Sequence, residues 1–277
     1  AFDDILKKFG TLSMSDAIQP AITYCEEGFA IRPQVHSFWT TPSISGRIAR
    51  TRGMTEDEAT AKIYTNNNGL LYGVGETLKN PDMAETYRNI ANHGVEDFYT
   101  GGIAKKISDD MATNGGLLTM DDLANCRSIE TSPLVTHYRG YKVSTNQPPG
   151  GGLVIVLMLN ILNHFDLRSM GHNSPEYIST VSEAMKIATV EKDNRMGDPK
   201  FFDIPLAELL SPEYSLAMAE RIKRGEKTSV IRLNSGADPK ETTHICVADN
   251  LGNCVTMTHS LGSSSGVVTD GLGFMYN

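Results

Sequence analysis

Near Pro133 the hydrophobic pattern of this chain changes period, and that change constrains the fold more than any other feature. Up to about residue 125 apolar residues recur at helical intervals between short connectors, as from Pro81 through Met83, Tyr87, Ile90 and Ala91 to Gly94. Ser15-Asp16-Ala17-Ile18 predicts a capped helix start, Gly28 its stop, and Gly101-Gly102 the break before another helix at Ile103. Beyond Pro133, Leu134-Val135-Thr136-His137-Tyr138 and Tyr141-Lys142-Val143-Ser144-Thr145 are β-rich runs flanking Arg139-Gly140, the pattern of a hairpin. Residues 243–248 and 254–258, joined by Asn250-Leu251-Gly252-Asn253, predict a second one. Between them lie an apolar helix opened by Pro148-Pro149-Gly150-Gly151-Gly152 and a long helix from about Ser174 to Arg195, stopped by Gly197-Asp198-Pro199. Residues 45–68, with Gly46, Arg47, Arg50, Arg52 and Gly53, are expected to form a flexible or inserted region, and 224–241 a polar linker. No internal repeat appears, which disfavours solenoids and propellers.

Composition narrows the functional class. Apolar residues at 40% and charged residues at 21% of the 277 describe a chain with a core, not a disordered one. A net charge of -8 without any Lys/Arg-rich run argues against a nucleic-acid partner. The longest apolar run, residues 153–159, falls far short of the roughly 20 residues of a membrane-spanning helix and reads as a buried helix. The opening Ala1-Phe2-Asp3-Asp4 has neither a basic nor an apolar leader region, so no signal peptide is expected within the sequence as given. Cys25, Cys126, Cys246 and Cys254 are scattered without metal-ligand spacing and are expected to be buried thiols. Reduced thiols lean toward the cytoplasm, although no compartment can be assigned, periplasmic and secreted sites included.

Several chemistries drop out. The chain has no HExxH, GxSxG or GxxxxGK[ST], and its histidines lack chelating spacing. The triglycine follows two prolines and lacks the lysine of a phosphate loop, so it reads as a turn and helix start. The informative stretch is Glu241-Thr242-Thr243-His244. A threonine hydroxyl is a weak nucleophile, and one way to activate it is to make the same residue a chain terminus whose free amine serves as base. Thr242 at the head of a strand fits that role if the Glu241–Thr242 bond is cut, with Ser260 or Thr258 across the hairpin to orient it. Thr-Thr starting a strand is also an ordinary structural pattern, because threonine favours strands.

The chain resembles the γ-glutamyltransferase (γ-glutamyl transpeptidase) family of N-terminal-nucleophile hydrolases. The resemblance rests on a series of phrases in order. They are Gln19-Pro20-Ala21-Ile22, Glu26-Glu27-Gly28-Phe29, Phe98-Tyr99-Thr100-Gly101-Gly102, Gly115-Gly116-Leu117-Leu118-Thr119-Met120-Asp121-Asp122-Leu123, Tyr138-Arg139-Gly140-Tyr141-Lys142-Val143, the Pro148 to Gly152 turn, Gly197-Asp198-Pro199, Thr242-Thr243-His244, Asp249 with Gly252-Asn253, and Ser265-Gly266-Val267-Val268.

The resemblance implies an α+β fold, a four-layer αββα sandwich, here incomplete at both ends. It implies residues 1–241 as most of a large-subunit region and 242–277 as the start of a small-subunit region, both from one precursor. Autoprocessing at Glu241–Thr242 would expose Thr242 as nucleophile and, through its amine, as base, with Ser260 as the orienting hydroxyl. The implied activity is γ-glutamyl transfer and hydrolysis of glutathione-type amides through an acyl-enzyme, with water, an amino acid or a peptide as acceptor and no cofactor or metal. The family's oxyanion glycines, substrate-binding Asp and serines, and carboxylate-binding Arg are expected outside these residues, so this segment alone is expected to lack activity. One departure bears on substrate: Gly262 stands where γ-glutamyl-specific members place a substrate-contacting Asn, and the loop 262–266 is shorter than theirs. That keeps open an amidase or acylase on a non-glutamyl group, such as a glutaryl-cephalosporin acylase. A non-catalytic homologue that folds or binds without turnover is the reading from another class.

Overall fold

The computed structural model describes residues 1–42, 49–231, 241–262 and 264–277. The first stretch is helical. It comprises α1 (Phe2–Phe9), α2 (Met14–Glu27), β1 (Phe29–Ala30), α3 (Pro33–Thr40), α4 (Arg50–Glu56), α5 (Glu58–Tyr64), β2 (Thr77–Leu78), α6 (Pro81–His93), α7 (Glu96–Tyr99), α8 (Gly102–Asn114) and α9 (Met120–Asn125). Next come β3 (Leu134–Tyr138), β4 (Tyr141–Thr145), α10 (Gly152–Leu162), α11 (Pro175–Arg195), α12 (Leu206–Leu209) and α13 (Pro212–Lys223). The last pair is β5 (Glu241–Ala248) and β6 (Cys254–Gly262). The change of period near Pro133 is therefore a real boundary between helical and mixed structure.

Two local expectations change. Helix α2 starts earlier than Ser15: Ser13 Oγ accepts the Asp16 N–H at 3.1 Å while the Asp16 carboxylate accepts the Ser13 N–H at 3.3 Å. This reciprocal box satisfies two otherwise orphaned N–H groups, which no cap at Ser15 would do. Gly28 ends the helix with a φ of +88°. Within 45–68, residues 45–48 lie outside the described set, but 50–64 is no flexible insertion. Helices α4 and α5 occupy it, and Met54 and Ile63 enter a core with Ile31, Trp39, Leu78 and Val268. The polar look of the segment reflects short helices that bury only one side. Of the linker 224–241, residues 232–240 likewise fall outside the described set.

The described residues form two compact units, one from residues 1–128 together with those from 241 onward, the other from residues 129–231. In the second, α10 is buried on several sides: Leu153, Val156 and Leu157 pack with Leu134, Ala188 and Leu209, while Ile161 and Leu162 pack with Ala184, Ile187 and Ala219. Its start at Gly152, with Gly151 as cap, matches the turn-and-helix reading of the triglycine. Glu183 of α11 is buried, accepting from Lys186 Nζ and from the Thr228 N–H, both at 2.8 Å. Burial alone would raise its pKa, but these bonds and the Lys186 and Lys227 charges hold it below the usual carboxylate range.

In the first unit the segment after β6 is stitched into the helices before it. Val268 and Leu272 join two apolar clusters, the second with Ile103, Ala104, Ile107 and Leu123. The backbone of the segment is satisfied by buried polar side chains. Thr60 Oγ1 accepts the Val268 N–H at 3.0 Å, Thr86 Oγ1 donates to the Leu272 carbonyl at 2.8 Å, and Asn80 Nδ2 donates to the Gly273 carbonyl at 2.7 Å. Gly273, with φ +79°, passes so close to α6 that a Cβ there would lie 2.2 Å from the Met83 nitrogen.

Among the described residues the strands form three separate two-stranded antiparallel sheets, β1-β2, β3-β4 and β5-β6. Mixed helix and strand content is thus observed. The thiols correct another expectation: all four cysteines are free, but Cys126, Cys246 and Cys254 are exposed and Cys25 only half-buried. Hydrophobic sulfur predicts burial on average, whereas these three sit in a helix C-cap and on an open hairpin. No helix among the described residues is long and apolar enough to cross a membrane.

Candidate active site

The sequence alternates hydroxyl, imidazole and thiol side chains along both strands of the last hairpin, and side chains two apart share a strand face. The register pairs Thr242 with Ser260, His244 with Thr258, and Cys246 with Thr256. These pairs line one polar face. Thr243, Ile245 and Val247 occupy the other, opposite His259, Met257 and Val255. That reverse face is apolar in its middle and open, with Ile245, Val247 and Val255 each about half exposed.

Each polar pair is hydrogen-bonded. Thr242 Oγ1 lies 3.0 Å from Ser260 Oγ. His244 Nδ1 lies 2.8 Å from Thr258 Oγ1, and its Nε2 lies 3.2 Å from both Cys246 Sγ and Thr256 Oγ1. The imidazole is thus held at both nitrogens, fixing the ring plane two residues beyond Thr242. Ser260 Oγ also accepts the Gly262 N–H at 2.9 Å, which sets the rotamer of the hydroxyl facing Thr242.

The pairing shifts register between Glu241 and Thr242: Glu241 faces Gly262 while Thr242 faces Ser260, leaving Leu261 as the extra residue. A bulge bends its strand and re-aims the neighbouring side chain. Here the bulged residue lies on β6, opposite the peptide bond expected to be cut. At the other end of the hairpin, Asp249 closes the turn. Its Oδ1 accepts the N–H groups of Leu251 and Asn253, each at 2.9 Å, and its Oδ2 accepts Asn253 Nδ2 at 2.8 Å. The Asn253 side-chain amide first, and the backbone N–H groups after it, hold the Asp249 carboxyl below its usual range.

Three of the four site residues named from sequence therefore converge: Thr242, Ser260 and, through its N–H, Gly262. Glu241 precedes them in the strand. The ladder of His244, Cys246, Thr256 and Thr258 was not singled out as a unit. Its signal is the strict alternation Thr242-x-His244-x-Cys246 against Thr256-x-Thr258-x-Ser260, which becomes informative once the register is known. Chemically the face offers a hydroxyl oriented by a second hydroxyl, beside a peptide bond that faces a shift in register. No group of three or more His, Cys, Asp or Glu side chains among the described residues is placed to hold a metal ion.

The family described as gamma-glutamyltranspeptidase matches over residues 1–277. A glutathione hydrolase proenzyme from Pseudomonas sp. (strain A14) is 32% identical over 278 residues, covering 98% of this chain and 47% of the relative. An acylase ACY 1 proenzyme from Pseudomonas sp. (strain SE83) is 32% identical over 277 residues, covering 99% and 48%. Among solved structures, a cephalosporin acylase from Bacillus halodurans superposes with a TM-score of 0.83 at 30% identity, over 99% of this chain and 49% of that one. The chain spans about half the length of the curated relatives it matches.

Proposed function

The chain belongs to the gamma-glutamyltranspeptidase family, and from that premise we propose that it carries the nucleophile of an autoprocessing γ-glutamyltransferase and hydrolase. The observation that carries this reading is the 3.0 Å contact between Thr242 Oγ1 and Ser260 Oγ, next to a peptide bond that faces the β-bulge at Leu261. In processing, Thr242 Oγ attacks the Glu241 carbonyl carbon and the peptide C–N bond breaks, leaving an ester. Water then cleaves the ester, giving a Glu241 carboxylate and a Thr242 with both amine and hydroxyl free. In turnover the same hydroxyl attacks the γ-carbonyl of a glutathione-type amide. The Thr242 amine takes the hydroxyl proton and passes it to the leaving amine. Water, an amino acid or a peptide resolves the acyl ester. Ser260 holds the hydroxyl in line.

The relatives named as proenzymes support two subunits from one precursor, 1–241 contributing to the large and 242–277 to the small. The fold reading is a four-layer αββα sandwich, in which a further layer covers the apolar reverse face of the hairpin. Oxyanion donors and the remaining substrate contacts come from residues beyond the 277.

A second reading, an acylase or amidase on a non-glutamyl group, is favoured by one observation: Gly262 puts no side chain beside Ser260. The two readings are separated by steady-state hydrolysis of γ-glutamyl and glutaryl anilides by the full-length protein. The γ-glutamyl reading predicts a kcat/KM at least tenfold higher for the γ-glutamyl compound. Equal or reversed preference overturns it in favour of the acylase. No release from either anilide, with Thr242→Ala indistinguishable from the parent, supports a non-catalytic homologue.

A further inference from the structure

The polar face of the hairpin carries a set of donor atoms that the chemistry at Thr242 does not use. His244 Nε2, Cys246 Sγ and Thr256 Oγ1 form a nearly regular triangle. Nε2 stands 3.2 Å from Sγ and 3.2 Å from Oγ1, and Sγ stands 3.5 Å from Oγ1. Residues 244 and 246 share a face of β5 because they are two apart, and the register sets Thr256 directly opposite Cys246. All three residues are exposed.

A nitrogen, a sulfur and an oxygen spaced in this way can meet a single cation. Zinc binds imidazole nitrogen at about 2.0–2.1 Å and thiolate sulfur at about 2.3 Å, and tetrahedral ligands at such lengths stand roughly 3.4–3.6 Å apart. The triangle matches that spacing to within a few tenths of an ångström, so it supplies one face of a tetrahedron without moving either strand. The imidazole is also oriented for the task. Its Nδ1 lies 2.8 Å from Thr258 Oγ1. With Nδ1–H donating to that hydroxyl, Nε2 carries the lone pair a metal takes, and a ligating histidine ordinarily has its other nitrogen held in this way. Calcium and magnesium seek oxygen ligands, whereas an imidazole with a thiolate suits zinc. Among the described residues no third His, Cys, Asp or Glu joins the pair, so the Thr256 hydroxyl is the third ligand and water the fourth.

We propose that His244, Cys246 and Thr256 form a zinc-binding site on the hairpin, with Thr258 as its positioning residue. On binding, the Cys246 S–H bond breaks, the sulfur bonds to Zn²⁺ and the proton leaves to solvent, while Nε2 and the Thr256 hydroxyl bind as neutral ligands. The ion ties β5 to β6 on the face that carries Thr242, but the site is independent of whether Thr242 is a nucleophile.

The test is calorimetric titration of the reduced, chelator-treated full-length protein with Zn²⁺, paired with Co²⁺ as a spectroscopic probe. One Zn²⁺ per chain with release of about one proton is expected, and Co²⁺ should give a thiolate-to-metal charge-transfer band in the near ultraviolet. Cys246→Ser, which keeps the shape of the side chain, is expected to abolish the band and to weaken Zn²⁺ binding by about tenfold or more, and Thr258→Val to weaken it by about tenfold. Thr256→Val is expected to weaken it about two- to tenfold. The double variant Cys126→Ser/Cys254→Ser should bind as the parent does. Hydrogen exchange of the parent should show amide protection along β5 rising with Zn²⁺, and that rise should be missing in Cys246→Ser. A parent that binds no Zn²⁺, or a charge-transfer band and affinity that persist in Cys246→Ser, overturns the assignment.

Discussion

At the scale of single residues, the reading turns on one pair of oxygens. Thr242 by itself says little in the sequence, because a threonine at the head of a strand is ordinary. It becomes legible through the ordered phrases around it. Read from the residues alone, Ser260 and Thr258 were both eligible hydroxyls; the resemblance implied Ser260, and the register pairs Thr242 with Ser260 and Thr258 with His244. The sequence signal for Cys246 was misleading for a similar reason, since burial statistics cannot anticipate a thiol on an open strand. The pair makes a direct prediction. Removing the hydroxyl in Ser260→Ala deletes one hydrogen bond to the nucleophile, worth about 1–3 kcal/mol if the partner is left unpaired, or roughly 10- to 100-fold in rate. Ser260→Thr keeps the oxygen and should retain most of the activity. Single-turnover rates of self-cleavage for the two variants check this.

At the scale of the element, the β5–β6 hairpin is held by its two ends and by its ladder. An isolated two-stranded hairpin is marginal in water, so cross-strand pairs count, each contributing about 0.2–1 kcal/mol. Replacing His244 with Phe removes its bonds to Thr258, Thr256 and Cys246, and amide protection along β5 is expected to fall about two- to fivefold by that measure, as read by hydrogen exchange. The turn adds a pH dependence. Because the folded-state pKa of Asp249 is depressed, its contribution is present above the ordinary carboxylate range and is lost as the pH falls through its own lowered pKa. Hairpin amide protection should therefore hold from neutral pH down to the acid carboxylate range and then drop. In Asp249→Asn that acid drop should be absent. The hairpin's existence and turn were legible from alternation and from Asp249 with Gly252-Asn253. The bulge was not, because Leu261 lies one residue from the end of β6 and leaves too little strand beyond it for a shift in alternation to show.

At the scale of the whole molecule, the helical first half, the β3–β4 hairpin and the buried α10 follow from periodicity, while the way residues 264–277 are bound does not. Thr60, Asn80 and Thr86 are polar residues that nothing in the sequence marks for burial, Thr60 within the stretch expected to be flexible or inserted, yet each is buried and bonds the backbone of that segment. They cross the proposed cut, so they should keep the two pieces together after it. Asn80 both caps α6 through the Met83 N–H and holds the Gly273 carbonyl. Asn80→Ala should cost about 1–3 kcal/mol and weaken retention of the 242-onward piece, seen by size-exclusion chromatography of the processed protein. The central claim is that the chain cuts itself before Thr242. Denaturing mass spectrometry of the purified full-length protein tests it most directly. A fragment beginning at Thr242, present in the parent and absent in Thr242→Ala, is the predicted result. A single uncut chain in both, or a cut that persists in Thr242→Ala, would contradict it.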